Sequence, residues 1–130
     1  MKRLLIHAII FVCMSKQFTA EFTKEAEEQL LTLSFDNRKK IAEAIHIFEN
    51  IGTLYKNIND LGDGLFEIKP KGVRAYFMYD HTRRKIIIVG LIVLKETQKA
   101  PPRYMKQARK NIEKYLNQRE LNYEETKNIR

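Results

Sequence analysis

The segment LFEIKPKGVRAYFMY (residues 65–79) has the pattern of two short strands joined by a tight turn. Pro70-Lys71-Gly72 suits the turn, because proline presets φ and glycine accepts conformations that other residues avoid. On either side of the turn, side chains alternate with the period of two that a half-buried strand requires. We therefore predict an antiparallel pair of strands, Leu65–Lys69 and Val73–Tyr79.

The two faces of this strand pair differ in polarity. Alternation puts Glu67 and Lys69 on the face that also carries Arg74 and Tyr76. The other face is apolar and must pack against helices, so we expect these four side chains to share an open face. Cations beside a phenol and a carboxylate suit an anionic substrate. A cross-strand Glu67–Arg74 ion pair, with Tyr76 as surface packing, explains the same pattern.

Outward from the pair, hydrophobic periodicity predicts two more strands and three helices. Residues 17–22 alternate as a short strand, and residues 85–94 form the continuous β-branched run of a central strand covered on both sides. Residues 52–64 are rich in Gly, Asn and Asp, which predicts a loop. Apolar residues recur at helical spacing in three segments, which we expect to begin after Thr23, after Asp36 or Asn37, and at Pro101-Pro102.

The resulting order of elements is β-α-α-β-β-β-α. It predicts an α+β fold, a small and mainly antiparallel sheet with the helices packed on one face. The domain covers residues 15–118, between an apolar extension (residues 1–14) and a polar C-terminal tail (residues 119–130). Three interpretations of the extension remain open: a start placed too early, with Met14 as the true first residue; an extra strand or helix; and a secretory signal.

Composition excludes several kinds of site. The 130 residues carry 24 basic and 16 acidic side chains, a net charge of +8, which favours a polyanionic partner such as nucleic acid. One cysteine excludes an intramolecular disulfide and a Cys-rich zinc site, and the three histidines lack the spacing of metal ligands. The glycine-rich nucleotide-binding motifs do not occur. We expect neither a metal nor an organic cofactor.

The positive charge is concentrated in the second half of the domain. Residues 65–115 hold thirteen basic and four acidic residues, whereas residues 16–64 hold six basic and nine acidic residues. The predicted sheet and last helix therefore carry the whole surplus. A cationic sheet face suits a phosphodiester backbone. Solvation alone is enough to explain Lys106, Lys110 and Lys114 on the last helix.

Three stretches carry a resemblance to a known family. They are LGDGLFEIK (residues 61–69), VRAYFMY (residues 73–79) and KETQKAP (residues 95–101), and Ala108 follows them in the closing helix. In the residues of these stretches and in their order along the sequence, the chain resembles the RelE/ParE superfamily of bacterial toxins, most closely its HigB-like, phage-derived branch. The resemblance covers residues 18–116.

The sequence departs from the pattern of that branch at three positions. Lys69 stands where the branch has an arginine, which keeps the charge and loses the bidentate fork. Glu96 replaces the second of two lysines, and Val93 replaces an aromatic residue. These departures leave the fold assignment intact and bear on catalytic activity.

The resemblance implies a toxin of a type II toxin–antitoxin system, an endoribonuclease that cleaves messenger RNA on the ribosome. A ribose 2′-OH would attack the adjacent phosphate, so the site must stabilise a phosphorane and transfer two protons. By this resemblance Lys69, Arg74 and Lys95 stabilise the phosphate. Glu67 serves as a base, and Tyr76 serves as a proton donor or stacks on a nucleobase. Further candidates are Asp80 and His81 for proton transfer, and Lys71, Arg83, Arg84, Lys85 and Lys99 for RNA binding.

The partners that the resemblance implies are a helix-turn-helix antitoxin, messenger RNA and the ribosome, in the cytoplasm and without membrane contact. Three alternatives remain open. The first is a ParE-like toxin that inhibits DNA gyrase and cleaves nothing. The second is a nucleic-acid-binding regulator that has lost activity, which Lys69 and Glu96 favour. The third is a secreted basic protein, which rests only on residues 1–13.

Overall fold

A computed structural model describes residues 16–128 of the chain. The predicted extension over residues 1–14 lies outside the described residues. Within them, five strands and three helices occur in this order: β1 (Thr19–Phe22), α1 (Lys24–Thr32), α2 (Phe35–Ile51), β2 (Ile58–Gly62), β3 (Leu65–Ile68), β4 (Val73–Tyr79), β5 (Ile86–Leu94) and α3 (Pro102–Asn128).

The strands form one sheet in the order β1-β5-β4-β3-β2. β1 runs parallel to β5, and all other neighbours are antiparallel. The α+β class, the mainly antiparallel sheet and the central strand pair are confirmed. The loop predicted over residues 52–64 is wrong in its second part, where Ile58–Gly62 pairs with β3. Its polar sequence is tolerated because β2 is an edge strand, with one neighbour and a bulge between Asp60 and Gly62.

Helices cover both faces of the sheet. α1 and α2 pack on the face that carries Phe77, and α3 packs on the opposite face, where Ala108 joins Leu91 in a second core cluster. The prediction that all helices share one face is therefore wrong. Gly90 on β5 explains the close approach of α3, since a Cβ there would lie 2.6 Å from Cγ1 of Ile112. The two-sided apolar run of β5 is what a strand buried on both faces requires.

Hydroxyl side chains begin the first two helices. Thr23 Oγ1 accepts a hydrogen bond from the N–H of Ala26 (3.1 Å), at the predicted start of α1. The predicted start of α2 after Asp36 or Asn37 is wrong, because the helix begins earlier. Ser34 caps it, and its Oγ accepts from the N–H of Asn37 (3.3 Å).

α3 continues beyond the predicted domain. It passes the boundary drawn between residues 118 and 119 and ends at Asn128. Arg119, just past that boundary, donates a hydrogen bond to Asp80 (2.6 Å), so this part of the helix is anchored to the sheet. None of the helices described for the chain has the length and apolar character needed to cross a membrane.

Candidate active site

Three strand ends bring predicted catalytic cations to one end of the sheet. Lys69 follows β3, Arg74 is the second residue of β4, and Lys95 follows β5. Arg74 lies opposite Val93 in the register, and the N–H of Lys95 donates to the carbonyl of Gly72 (2.9 Å). We call this region the Arg74 end and define it by five cationic residues: Lys69, Lys71, Arg74, Lys95 and Lys99.

Arg74 is held by the backbone of its own turn. Its Nη1 donates to the carbonyls of Pro70 and Val73, both at 3.1 Å, and its Nε lies 3.7 Å from Oε2 of Glu67. The residue is 8% exposed. Its second terminal nitrogen, Nη2, makes no hydrogen bond with any described residue and is not fully buried. The guanidinium is therefore fixed in place and keeps one donor for an anion.

Glu67 and Tyr76 share the predicted face of the sheet, but that face is not open. Each is only 1% exposed. Tyr76 lies in the core cluster of Ala108, and Tyr104 and Met105 at the start of α3 pack against the same cluster. The prediction of an open face is wrong because it placed α3 on the other side of the sheet. Neither side chain is accessible to a substrate in this structure.

Burial also determines the protonation of Tyr76. Desolvation, and after it the negative charge of Glu67, raises the pKa of Tyr76 to about 12. The phenol is therefore protonated at neutral pH and cannot act as a base. Glu67 Oε1 accepts from the side-chain amide of Asn59 on β2 (3.0 Å), while its buried Oε2 makes no hydrogen bond. Asn59 lies in the segment predicted as a loop, so the sequence alone does not indicate this contact.

The other four cations of the Arg74 end have no acidic partner in the described part of the chain. Lys69 is half-buried, and Lys71, Lys95 and Lys99 are exposed. Among the described residues, no carboxylate lies within 4.0 Å of any of these four amino groups. Lys95 Nζ donates instead to the side-chain oxygen of Gln98 (3.3 Å). The region is therefore positively charged without local neutralisation.

Glu96 connects the loop after β5 to the first turn of α3. Its Oε2 accepts from Nη2 of Arg103 (2.5 Å), and its Oε1 accepts from the hydroxyl of Tyr104 (2.6 Å). The Arg103 guanidinium also lies 4.6 Å from the centre of the Tyr104 ring. We call these three residues the Glu96 clasp. Glu96 stands out in the sequence because the resembling branch has a lysine there, but its partners do not, because a contact across a loop has no periodic signature.

A second charged cluster surrounds Asp80 at the opposite end of the sheet, which we call the Asp80 end. The buried Asp80 carboxylate accepts hydrogen bonds from Arg83 (2.8 Å), Arg119 (2.6 Å) and Thr82 (2.8 and 2.9 Å). Arg83 also donates to both carboxylate oxygens of Glu21 on β1. Burial opposes ionisation of Asp80, but the bonds from Arg119, Thr82 and Arg83 outweigh it and hold the pKa of the carboxyl well below its usual range.

The Asp80 end is separate from the Arg74 end. Five residues of β4 lie between Arg74 and Asp80, so the two are separated by about 20 Å of extended strand. Asp80 and His81 are therefore too far from Arg74 to transfer a proton at the same phosphate. The predicted RNA-binding residues divide accordingly: Lys71 and Lys99 belong to the Arg74 end, while Arg83, Arg84 and Lys85 follow Asp80 at the other end.

The chemistry available at the Arg74 end is the binding of a phosphate or a similar anion. A fixed guanidinium with a free donor lies among flexible ammonium groups, which is a combination suited to phosphate oxygens. Among residues 16–128, no three His, Cys, Asp or Glu side chains are grouped so that they could hold a metal ion.

Comparison with known proteins places the chain in a family. The family model described as "Phage derived protein Gp49-like (DUF891)" matches residues 28–113. The toxin–antitoxin complex RelBE2 of Mycobacterium tuberculosis contains a chain of 19% sequence identity and TM-score 0.44, in a match that covers 61% of this chain and 99% of that one. No curated protein matches. Because the family model spans well over half of its residues, the chain belongs to the phage-derived Gp49-like family.

Proposed function

We propose that this chain is the toxin of a type II toxin–antitoxin pair, with a helix-turn-helix antitoxin as its partner, and that it cleaves messenger RNA on the ribosome. Membership of a phage-derived family, the sequence resemblance to HigB-like toxins and the net charge of +8 support this proposal. The observation that carries it is the Arg74 end, where a fixed guanidinium lies among four ammonium groups; within residues 16–128, Nη2 of Arg74 has no hydrogen-bond partner and the ammonium groups have no carboxylate partner.

In this proposal the cations stabilise the transition state. Attack of a ribose 2′-OH on the adjacent phosphate forms a P–O bond and breaks the bond to the 5′ oxygen of the next nucleotide. The 2′-OH gives its proton to water and the leaving 5′ oxygen takes one from water, because neither Glu67 nor Tyr76 is accessible. The products are a cyclic phosphate and a free 5′-OH. The phosphorane carries one more negative charge than the phosphodiester, so fixed positive charges bind it more tightly than the substrate. Arg74 supplies a donor in a fixed position, and Lys69 and Lys95 add point charges beside it.

Glu67 and Tyr76 act behind the site. Because both are buried, we assign them positioning roles in place of the base and the stacking platform that the resemblance implies. Glu67 Oε2 faces Nε of Arg74 and orients the guanidinium. Tyr76 lies opposite Glu67 in the register and packs under α3, which keeps water away from the carboxylate.

The burial of Glu67 and Tyr76 favours a second candidate function. A protein that binds RNA through the Arg74 end without cleaving it needs only the cations, and it needs no accessible base. Lys69 and Glu96, where the resembling branch has an arginine and a lysine, agree with such a loss of activity. Both candidate functions use the Arg74 end to bind RNA, and they differ only in whether the bound RNA is cleaved.

Incubation with translating ribosomes separates the two functions. We expect messenger RNA fragments with a cyclic phosphate and a 5′-OH. Arg74→Ala should lower the cleavage rate about a hundredfold, as loss of a transition-state donor does. Because that variant leaves Glu67 buried without its cation, the double variant Arg74→Ala/Glu67→Gln serves as the folded counterpart. Lys110→Ala, at an exposed lysine of α3 whose assigned role is solvation, is the matched control and should cleave at the wild-type rate.

Each outcome of this experiment selects one function. Intact messenger RNA together with binding that depends on Arg74 selects the non-catalytic regulator. Intact messenger RNA together with inhibition of DNA gyrase selects the ParE-like toxin. Cleavage that survives both Arg74 variants contradicts the proposed site. Growth arrest on induction, relieved by the product of the neighbouring gene, tests the toxin–antitoxin assignment independently of the chemistry.

A further inference from the structure

The outer edge of β5 is only partly paired. The register of β1 with β5 ends at Phe22 and Val89. Beyond that point no strand lies beside β5 in the described residues, and α1 supplies one hydrogen bond instead: the side-chain oxygen of Gln29 accepts from the N–H of Ile92 (2.9 Å). In the described part of the chain, no strand pairs with the outer edge of Ile92–Leu94.

The register fixes the direction of the free backbone groups. The N–H of Lys95 donates to Gly72 on β4, and Leu94 lies opposite Val73 in a pair that is not hydrogen-bonded. The N–H and the carbonyl of Leu94 therefore point away from β4. Together with the carbonyl of Ile92 they form the alternating set of donor and acceptors that an extended chain pairs with. Residues 92–94 carry neither the charge nor the proline that protects many strand edges.

A groove of about 440 Å³ lies along this free edge, between β5 and the corner where α1 meets α2. Its lining is apolar or neutral, and Glu96 is the one charged side chain that lines it in the described chain. Large apolar side chains are exposed nearby: Leu94 is 50% exposed, and Leu31 and Phe35 at the helix corner are 63% and 75% exposed. Of these three, Leu94 lines the groove itself, and Leu31 and Phe35 are chain neighbours of the lining residues Thr32 and Ser34. No cationic side chain lines the groove in residues 16–128, which disfavours RNA as its occupant.

We propose that this groove binds an extended segment of the protein partner, which adds a strand to β5 at Ile92–Leu94 and places apolar side chains in the groove. Because this partner is the antitoxin, the inference rests on the proposed function. The added strand continues the line of β1, which already pairs with the same edge of β5. It also lies one strand away from Arg74, since Val93 is opposite Arg74 in the register. A bound partner therefore comes next to the Arg74 end.

Leu94→Pro tests the proposal directly. The N–H of Leu94 points outward, so proline removes the free donor and leaves the ladder between β4 and β5 intact. The probe is the purified product of the neighbouring gene, and its affinity for the full chain is measured by titration calorimetry. We expect Leu94→Pro to weaken binding at least tenfold and Leu94→Ala to weaken it two- to fivefold. Leu54→Ala, at an exposed leucine outside the groove, is the control and should bind as the wild type does.

A second measurement covers the case in which Leu94→Pro does not fold. Amide hydrogen exchange of the wild-type chain should show that the Leu94 amide becomes protected when the probe binds. Unchanged affinity in a folded Leu94→Pro, an unprotected Leu94 amide in the complex, or no binding of the probe overturns the proposal. Self-association that Leu94→Pro abolishes also overturns it, because the occupant is then a second copy of the chain. None of these readouts involves RNA or toxicity, so failure of the proposed reaction is distinguished from failure of this inference.

Discussion

The two ends of the sheet both carry cationic side chains but differ in the acidic groups beside them. At the Asp80 end, Arg83 and Arg119 share one buried carboxylate, and Arg83 also binds Glu21. At the Arg74 end, four ammonium groups lack a carboxylate partner among the described residues, and the guanidinium has its single partner at 3.7 Å. Cationic side chains thus share carboxylates at the Asp80 end and lack them, among the described residues, at the Arg74 end.

This difference separates charges that stabilise the fold from charges that are available for binding. The Asp80 network joins β1, the turn after β4 and the second half of α3, three parts of the chain that are distant in sequence. The four ammonium groups of the Arg74 end make no ion pair with any residue that the structure describes, and they repel one another, which is a cost to the folded state. A phosphate removes that cost. The following predictions test whether the two ends are as independent as their contacts indicate.

The largest effect on stability is expected at the Asp80 end. Asp80→Asn removes the charge that Arg83 and Arg119 share, and we expect the free energy of unfolding to fall by about 3 kcal/mol. This value is at the low end for a broken buried pair, because the two arginine side chains keep 37% and 27% exposure to water. Urea denaturation measures it. RNA cleavage by the folded variant should not change.

The control for this variant is Asp63→Asn. Asp63 is exposed and has a positive φ of 50°, a conformation that asparagine tolerates, so we expect a change within about 0.5 kcal/mol. If Asp80→Asn lowers the free energy of unfolding as little as Asp63→Asn does, a stabilising role of the network is contradicted. A parallel loss of cleavage in folded Asp80→Asn would contradict the independence of the two ends.

The same network predicts the pH dependence of stability. The hydrogen bond from Arg83 holds the pKa of Glu21 below its usual value, and the pKa of Asp80 is lowered as well. Carboxyl groups with a lowered folded-state pKa contribute stability at pH values above their unfolded pKa, near 4, and lose it as the pH falls toward the folded value. We expect the free energy of unfolding to decrease by about 2 kcal/mol between pH 6 and pH 3. Asp80→Asn should show a clearly shallower decrease, and an unchanged slope in that variant would exclude Asp80 as the source.

A smaller, catalytic effect is expected at the Arg74 end. Glu67→Gln removes the charge that faces Nε of Arg74 and keeps the shape of the side chain. Stability should change little, because the cost of burying the carboxylate disappears together with the pair. We expect kcat for RNA cleavage to fall about tenfold with an unchanged KM, because Arg74 then stabilises the transition state from a poorer position. Glu27→Gln, at an exposed carboxylate on α1, is the matched control. A fall in KM alone would contradict the positioning role.

Much of the fold follows from sequence because strand periodicity is a local signal. The alternation over residues 65–79 predicts the strand pair and places Glu67, Arg74 and Tyr76 on one face, as the structure shows. The same reasoning errs on accessibility, because it treats a polar face as a solvent face. The run over residues 85–94, apolar on both sides, already indicates that both faces of the sheet are covered.

The remaining details of the site depend on contacts between distant segments. Asn59 reaches Glu67 only because a polar segment, predicted as a loop, forms an edge strand. Glu96 meets Arg103 and Tyr104 across a loop, so their separations of seven and eight residues do not come from a shared helix face. Tertiary packing decides such contacts, and sequence periodicity carries no information about them.

The smallest effect is expected at the Glu96 clasp. Glu96 and Arg103 are 50% and 65% exposed, so their ion pair contributes little to stability. Glu96→Lys has its main effect through charge, because it replaces an anion with a cation in the loop that carries Lys95 and Lys99. We expect the affinity for a single-stranded oligoribonucleotide to rise about threefold at low salt, and the difference to disappear as added salt screens the site. Glu124→Lys makes the same charge change on the exposed C-terminal part of α3 and should leave the affinity unchanged. Equal gains in both variants would mean that RNA responds to the total charge of the molecule rather than to the Arg74 end.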